Sequence, residues 1–420
     1  MVEPEKNEEL FLFLDSGIYR FRSSNAIFID PVRILNSSYT RFRVSPAAYY
    51  SRSFEHIKRE ETPLASPSSR KRKRKQSKSL PRNETEESAH QRHLAARPLL
   101  LRAHEALLGV KDLLSCLCDI KNDGRSSVES KELLPFVELG KVWQAPLYEM
   151  SLYFRPHDKQ TEDGGMPLIQ CGEREVVPIF NNLVVNKTSD DLEAEFHTRW
   201  YIIPRESCFY MSDLGQIHNL IPDQSDHGFN LIVIDPPWEN KSAYQKSVYS
   251  VLPNRYFLSL PIKQLSHTEG ALVALWITNR EKLQVFVEKE LFPIWGVRYV
   301  ARLYWLKVKL DGSLIGDLDL FHHRPYECLL LGYSNVQEVA SDHHSAFKRP
   351  QDNQVIISVP GDYSRKPPIG KLLLDYAPGP KPARCIELFA RELFAGWTSW
   401  GNETLHFQDS RYFLNVSAEE

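Results

Sequence analysis

The chain has 420 residues, and its 52 Lys and Arg against 54 Asp and Glu give a formal net charge of −2. With 42% hydrophobic, 11% aromatic and 25% charged residues it has globular composition, which excludes wholesale disorder, and its length calls for two or three structural units. Apolar stretches such as Leu231–Ile234 are too short to cross a bilayer, and the N-terminus lacks a basic patch followed by an apolar secretory run. The six cysteines (Cys116, Cys118, Cys171, Cys208, Cys328, Cys385) are too sparse and irregular for a disulfide framework or a zinc module. These features together predict an intracellular protein of a reducing compartment with no membrane span.

In chain order, residues 1–56 read as a small strand-rich region, because aromatic and aliphatic residues (Phe11, Phe13, Ile18, Tyr19, Phe21, Ile27, Ile29) alternate with polar ones. Residues 57–93 read as a disordered basic linker. Six basic residues run without interruption from Arg70 to Lys75 among Ser and Pro, and like charges with nothing apolar beside them do not pack. Such a run suits nuclear import or a phosphate-binding tail, and its plain alternative is a solvated spacer. Residues 94–201 form a middle, partly helical region, with Leu99, Leu100, Leu107, Leu108, Leu113, Leu114 and Leu117 at helical spacing; Cys116 and Cys118 belong to its apolar face.

From 202 to 420, short buried runs (231–234, 272–277, 299–306, 328–331, 385–389) alternate with amphipathic segments (281–291, 367–376), which predicts an α/β sheet. Its decisive segment is Leu231-Ile-Val-Ile-Asp235-Pro236-Pro237-Trp238, a buried strand running into a carboxylate, two prolines and a tryptophan. In open α/β sheets ligands bind at the carboxyl ends of strands, where this turn falls. Proline has no N–H and fixes its own φ, so the turn is stiff and offers the Asp235 carboxylate and the Pro236 carbonyl as acceptors. Trp238 adds a flat face on which a base can stack. Two acceptors and a platform fit the exocyclic amine of a nucleobase: accepting its two protons lets the nitrogen become tetrahedral and aims its lone pair outward, with no strong general base. The alternative is a rigid turn with a packed tryptophan.

These residues resemble those of the adenine methyltransferases named after the seventy-kilodalton subunit of the messenger-RNA methylase, which use S-adenosylmethionine. The motifs Ala274-Leu-Trp-Ile-Thr-Asn-Arg280, Arg324-Pro-Tyr-Glu327, Ser364-Arg-Lys-Pro367, Ile386-Glu-Leu-Phe-Ala-Arg391 and Trp400-Gly-Asn-Glu403 follow in the family's order over roughly 202–410, and are most similar to the methyltransferase-like-four branch. The resemblance implies a Rossmann-like, doubly wound, circularly permuted methyltransferase domain. Its glycine-rich fingerprint is absent, since Ala390 stands where a glycine is usual.

Residue by residue, the resemblance implies that Asp235, Pro236, Pro237 and Trp238 are catalytic. It pairs Lys366 with the carboxylate of the cofactor's methionine part, places Glu387, Arg391 and Asn402 around its ribose, and sets Phe389 beside Glu387 in the segment that forms much of the cofactor pocket. Glu403, where the family often has glutamine, and Cys208 and Phe209 then fall at its adenine end. Two loops rich in basic and aromatic residues are expected to hold an unstacked nucleotide: Asn240, Lys241, Tyr244, Asn254, Arg255 and Tyr256 in the first, Lys307, His323 and Arg324 in and beside the second. His322-His323 and Asp342-His343-His344 lack the spacing of a metal site, and no metal is expected.

The resulting expectation is a nuclear enzyme that methylates adenosine in RNA; the branch resemblance implies small nuclear RNA, with a 2′-O-methylated adenosine as a candidate target. DNA adenine methylation and a silent nucleic-acid-binding partner subunit are the alternatives. Both a monomer and a family heterodimer are compatible with an intact catalytic half.

Overall fold

The computed structural model describes residues 4–51, 84–122, 134–141, 143–154, 173–239, 252–320, 324–335 and 348–416. The part of the expected linker from 57 to 83, including Arg70–Lys75, lies outside them, as do Asn240, Lys241, Tyr244, His322 and His323.

The N-terminal region holds α1 (Pro4–Ser16), β1 (Ile18–Phe21), β2 (Ala26–Ile29), α2 (Pro31–Asn36), β3 (Phe42–Val44) and α3 (Pro46–Tyr49). The alternation at Phe11 and Phe13 is therefore helical, not extended: Phe13 enters the core and Phe11 faces solvent, as neighbours on a helix do. Helix α4 (Glu84–Leu108) starts inside the segment that composition assigns to the linker, so residues 84–93 are helical. Glu84, Glu86 and Glu87 fall in its first turn, where carboxylates suit the helix dipole. Ala96, Leu100, Ala103 and Leu107 bury one face of α4, and α5 (Lys111–Asn122) follows with Leu113 and Leu117 buried.

After α6 (Phe136–Leu139), the middle region turns to strands: β4 (Glu149–Tyr153), β5 (Arg174–Pro178), β6 (Leu183–Val185), β7 (Leu192–Phe196) and β8 (Arg199–Ile203). β8 spans the expected boundary at 202. The remaining strands are β9 (Cys208–Met211), β10 (Leu231–Ile234), β11 (Ala271–Ile277), β12 (Val297–Lys307), β13 (Tyr326–Ser334), β14 (Gln354–Ser358), β15 (Cys385–Leu388), β16 (Trp397–Gly401) and β17 (Phe413–Asn415). The amphipathic segments expected at 281–291 and 367–376 are helical over 281–295 and 370–376.

One 11-stranded sheet, in the order β1-β2-β14-β12-β13-β11-β10-β15-β16-β9-β6, carries the fold. Within it only β1, β6 and β13 run against the rest. β1 and β2 extend this sheet instead of forming a unit of their own. Strands buried on both faces read as continuous apolar runs, and β10 shows why: Leu231 and Val233 enter the core on one face, Ile232 and Ile234 that on the other. A smaller sheet, β5-β4-β7-β8, packs its inner face (Met150, Leu152, Ala194, Tyr201) on Phe209, Met211, Leu393 and Leu405.

Two connections position the site. β10 and β15 are parallel neighbours with Ile234 opposite Leu388, and the chain leaves β10 for β11 on one side and β15 for β16 on the other. Diverging connections open a crevice at the carboxyl ends of the two strands, the switch point at which open α/β sheets bind ligands. Asp235 follows one strand end and Phe389 the other.

Candidate active site

The crevice has two lobes, of about 190 and about 360 Å³. Asp235, Trp276, Lys366, Phe389 and Arg391 line both. The smaller lobe continues along Pro236, Pro237 and Trp238 to Arg280, Glu327, Asn402 and Glu403. The larger runs under the loop bearing Lys366 to Glu387, Phe394 and Trp397.

The Asp235–Trp238 turn is held from all sides. Asp235 N–H donates to the Leu388 carbonyl at 3.3 Å, tying the turn to β15. The Trp238 indole Nε1–H donates to the Trp276 carbonyl at 2.8 Å, and its ring meets Phe257 edge-on at 5.0 Å. Trp238 is thus largely buried, with only part of it reaching the smaller lobe. The Pro236 carbonyl is not idle: Trp238 N–H donates to it at 2.7 Å. A carbonyl has two lone pairs, so one acceptor direction is left for a ligand. Beyond the turn, Glu239 is clamped by the Asn254 side-chain carbonyl, which accepts from its N–H at 3.1 Å, and by Arg280, which donates to its carbonyl at 2.8 Å.

Asp235 does have a competing donor. Lys366 Nζ lies 3.2 Å from Asp235 Oδ1 and 3.3 Å from Glu327 Oε2, and Lys307 pairs with the other oxygen of Glu327. Burial opposes ionisation of Glu327, but Lys307 and Lys366 outweigh it and bring this carboxyl down to about 2. Burial likewise disfavours the Lys366 ammonium, and Asp235 and Glu327 together more than restore it, raising its pKa. The loop bearing Lys366 is anchored by its neighbour Arg365, which is buried, sandwiched between Tyr49 (4.3 Å) and Phe407 (4.2 Å), and paired with Glu392. Tyr49 belongs to α3, so the N-terminal region buttresses the site.

At the end of β15, Phe389 takes the left-handed conformation (φ 62°), which favours glycine and costs a side-chain-bearing residue about 1–2 kcal/mol. Its ring packs between Phe257 (5.5 Å) and Trp400 (5.1 Å), contacts that offset the strain. The glycine missing at Ala390 is therefore not required there. The small residue instead sits at Gly401, where a Cβ would come 2.8 Å from the Ala390 carbonyl oxygen. That close approach sets Asn402 and Glu403 into the lobe wall. Glu387 lines only the larger lobe, where burial and the charges of Asp235 and Glu392 push its carboxyl up to about 8. Glu403 is disfavoured by burial, but His406, with Nδ1 at 3.2 Å, and Arg391 hold it below the usual carboxylate range.

Of the cofactor candidates, the structure gathers Asp235, Lys366, Phe389 and Arg391 at the junction of the lobes, Asn402 and Glu403 in one lobe and Glu387 in the other. Cys208 and Phe209 line neither lobe. Phe209 is fully buried on the face covered by the smaller sheet, and the Cys208 thiol lies 3.1 Å from Thr398 Oγ1. Among the substrate candidates, Asn254 braces the Asp235–Trp238 turn through Glu239. Arg255 points to solvent with Glu290 at 3.6 Å, Tyr256 is exposed, and Arg324 lines a separate small cavity under α4. Lys307 is spent on Glu327. Asn240, Lys241, Tyr244 and His323 fall outside the described residues. Sequence reasoning assigned no role to Trp276, Arg280 or Glu327, although each lies within a family motif, and that membership is the signal that marks them.

Residues 229–403 match the profile of the MT-A70 family. This stretch of the chain is an MT-A70 domain. Over 242 residues it is 37% identical to the mouse (Mus musculus) N(6)-adenine-specific methyltransferase METTL4, covering 57% of this chain and 50% of that protein. The N6-methyladenosine RNA methyltransferase MTA1 of Pyricularia oryzae is 36% identical over 218 residues, 50% of this chain and 55% of that one. A DNA N6-methyl methyltransferase of Caenorhabditis elegans is 34% identical over 232 residues, 54% and 59%. The chain thus spans about half the length of the curated relatives it matches, and within the MT-A70 family its similarity lies with the METTL4 branch.

Proposed function

We propose that this MT-A70 protein transfers a methyl group from S-adenosylmethionine to the N6 amine of adenosine in RNA. The observation that carries the reading is the position of Asp235, on a stiff turn where the two lobes of one crevice meet, with space beside it for two reactants. The residues present fit the cofactor: the Lys366 ammonium suits its carboxylate, while Arg391, Asn402 and Glu387 offer polar partners for its amine and ribose hydroxyls. When bound, the cofactor supplies an electrophilic methyl group. Asp235 and the free lone pair of the Pro236 carbonyl accept the two amine protons, fixing the nitrogen lone pair outward; Trp238, Trp276 and Phe389 wall off water.

The strand order supports a circularly permuted, doubly wound domain, because β10, which ends in the catalytic turn, precedes in sequence the β15 and β16 that flank its other side. RNA is preferred because looped or single strands present unstacked bases, whereas duplex DNA demands flipping. The METTL4-branch similarity supports small nuclear RNA and a 2′-O-methylated target adenosine, and the basic run at Arg70–Lys75 supports a nuclear location. A DNA substrate is the second reading, favoured by the C. elegans relative. Either a monomer or a heterodimer could hold the activity; a purely structural partner subunit is disfavoured by the intact Asp235–Trp238 turn. Labelled methyl transfer to matched RNA and DNA oligonucleotides separates these readings: RNA labelling supports the proposal, DNA labelling alone the second, and no labelling of either the silent subunit.

A further inference from the structure

Glu327 lines the smaller lobe beside Asp235, and the methyl-transfer reading gives it no part. Its surroundings are specific. Lys307, Glu327, Lys366 and Asp235 form a chain of alternating charge. The Lys366 ammonium has three protons and three side-chain acceptors: Asp235 Oδ1 at 3.2 Å, Glu327 Oε2 at 3.3 Å and Ser364 Oγ at 3.2 Å. The rings of Trp276 and Trp305, with centroids 5.9 and 6.0 Å from Nζ, flank it. Lys307, lying over Trp305 at 4.3 Å, fixes the far oxygen of Glu327.

We propose that Glu327 is a positioning residue that draws the Lys366 ammonium away from Asp235 and so keeps Asp235 available to accept from the target amine. The inference rests on the role given to Asp235 above. An ammonium shared between two carboxylates leaves each partly uncommitted. With the charge of Glu327 removed, Asp235 is the strongest acceptor left to Lys366, which then occupies the oxygen the amine needs. Glu327 can perform this task at any working pH, since its two lysine partners keep it ionised. It also helps to keep Lys366 protonated, so its loss lowers the pKa of that ammonium.

The test uses the full chain with Glu327→Gln, which keeps the shape and removes the charge, and Glu327→Asp, which keeps the charge. In Glu327→Gln, kcat for methyl transfer should fall at least about tenfold while the dissociation constant for S-adenosylhomocysteine stays within about threefold at pH 7. Its kcat relative to wild type should recover as the pH is raised into the alkaline range, because Lys366 gives up its proton earlier and releases Asp235; Glu327→Asp should retain most of the activity. Wild-type kcat in Glu327→Gln, or kcat and affinity falling in parallel without alkaline recovery, would overturn the proposal. A second arm needs no turnover. Calorimetric affinity for S-adenosylhomocysteine should begin to decline at lower pH in Glu327→Gln than in wild type, and superimposable pH profiles count against the proposal. A wild-type protein that methylates neither RNA nor DNA would defeat the proposed function and leave this second arm to decide the role of Glu327.

Discussion

The Nζ of Lys366 lies 3.2 Å from Oδ1 of Asp235, joining the loop after β14 to the Asp235–Trp238 turn after β10. The cation expected to greet the cofactor and the carboxylate expected to align the amine are thus members of one charge cluster, which Glu327 also joins.

Lys366→Ala removes a side-chain cation that lines both lobes and pairs with both Asp235 and Glu327. Affinity for S-adenosylhomocysteine should fall about tenfold or more, as calorimetry would read. An unchanged dissociation constant contradicts the assignment of Lys366 to the cofactor.

Glu392→Gln leaves the Arg365 guanidinium buried between Tyr49 and Phe407 without its carboxylate partner. Breaking a buried pair from one side costs about 3–5 kcal/mol, so the urea midpoint should drop clearly. Because Arg365 adjoins Lys366, affinity for S-adenosylhomocysteine should weaken in parallel. Arg365 and Glu392 are both deeply buried, and a surface-like loss of under about 0.5 kcal/mol would show that the pair does not anchor the loop.

Glu387 titrates in the folded protein at about 8, above its ordinary value of 4.5. The folded state therefore binds the extra proton between these values, and stability is highest below about 4.5 and declines as the pH rises through 8. For this group alone, thermal melts should show Tm falling by roughly 3 °C or more from pH 5 to pH 8, and Glu387→Gln should flatten that slope. An identical slope in the variant means that Glu387 does not carry it.

Much of the domain from about residue 202 onwards is legible in the sequence because its strands are buried on both faces. β10, β11 and β15 announce themselves as continuous apolar runs, and the stiffness of the Asp235–Trp238 turn follows from proline chemistry alone. Three features are not legible. Phe11 and Phe13 alternate like strand residues, and only tertiary packing makes α1 a helix. Phe209 sits in a strand that could have faced the crevice; the smaller sheet, whose docking no local pattern encodes, covers it. The Lys307–Glu327–Lys366–Asp235 chain joins residues from four separate segments, and spacing along the chain carries no trace of their meeting.

Neutralising the six basic residues from Arg70 to Lys75 should move the protein out of the nucleus in a localisation assay while leaving methylation of short oligonucleotides within about twofold. Unchanged localisation removes the import reading of that run, and a large loss of activity places it at the substrate.

The most direct test of the central claim is transfer of labelled methyl from S-adenosylmethionine to adenosine N6 in an RNA oligonucleotide, comparing wild type with Asp235→Ala. Lys366 still has Glu327 in the variant, so its affinity for S-adenosylhomocysteine should stay within a few-fold. Turnover should fall about 10²–10³-fold, the usual cost of deleting a preorganised partner of the reacting group. Labelling by Asp235→Ala at a rate close to wild type would contradict the role given to the turn.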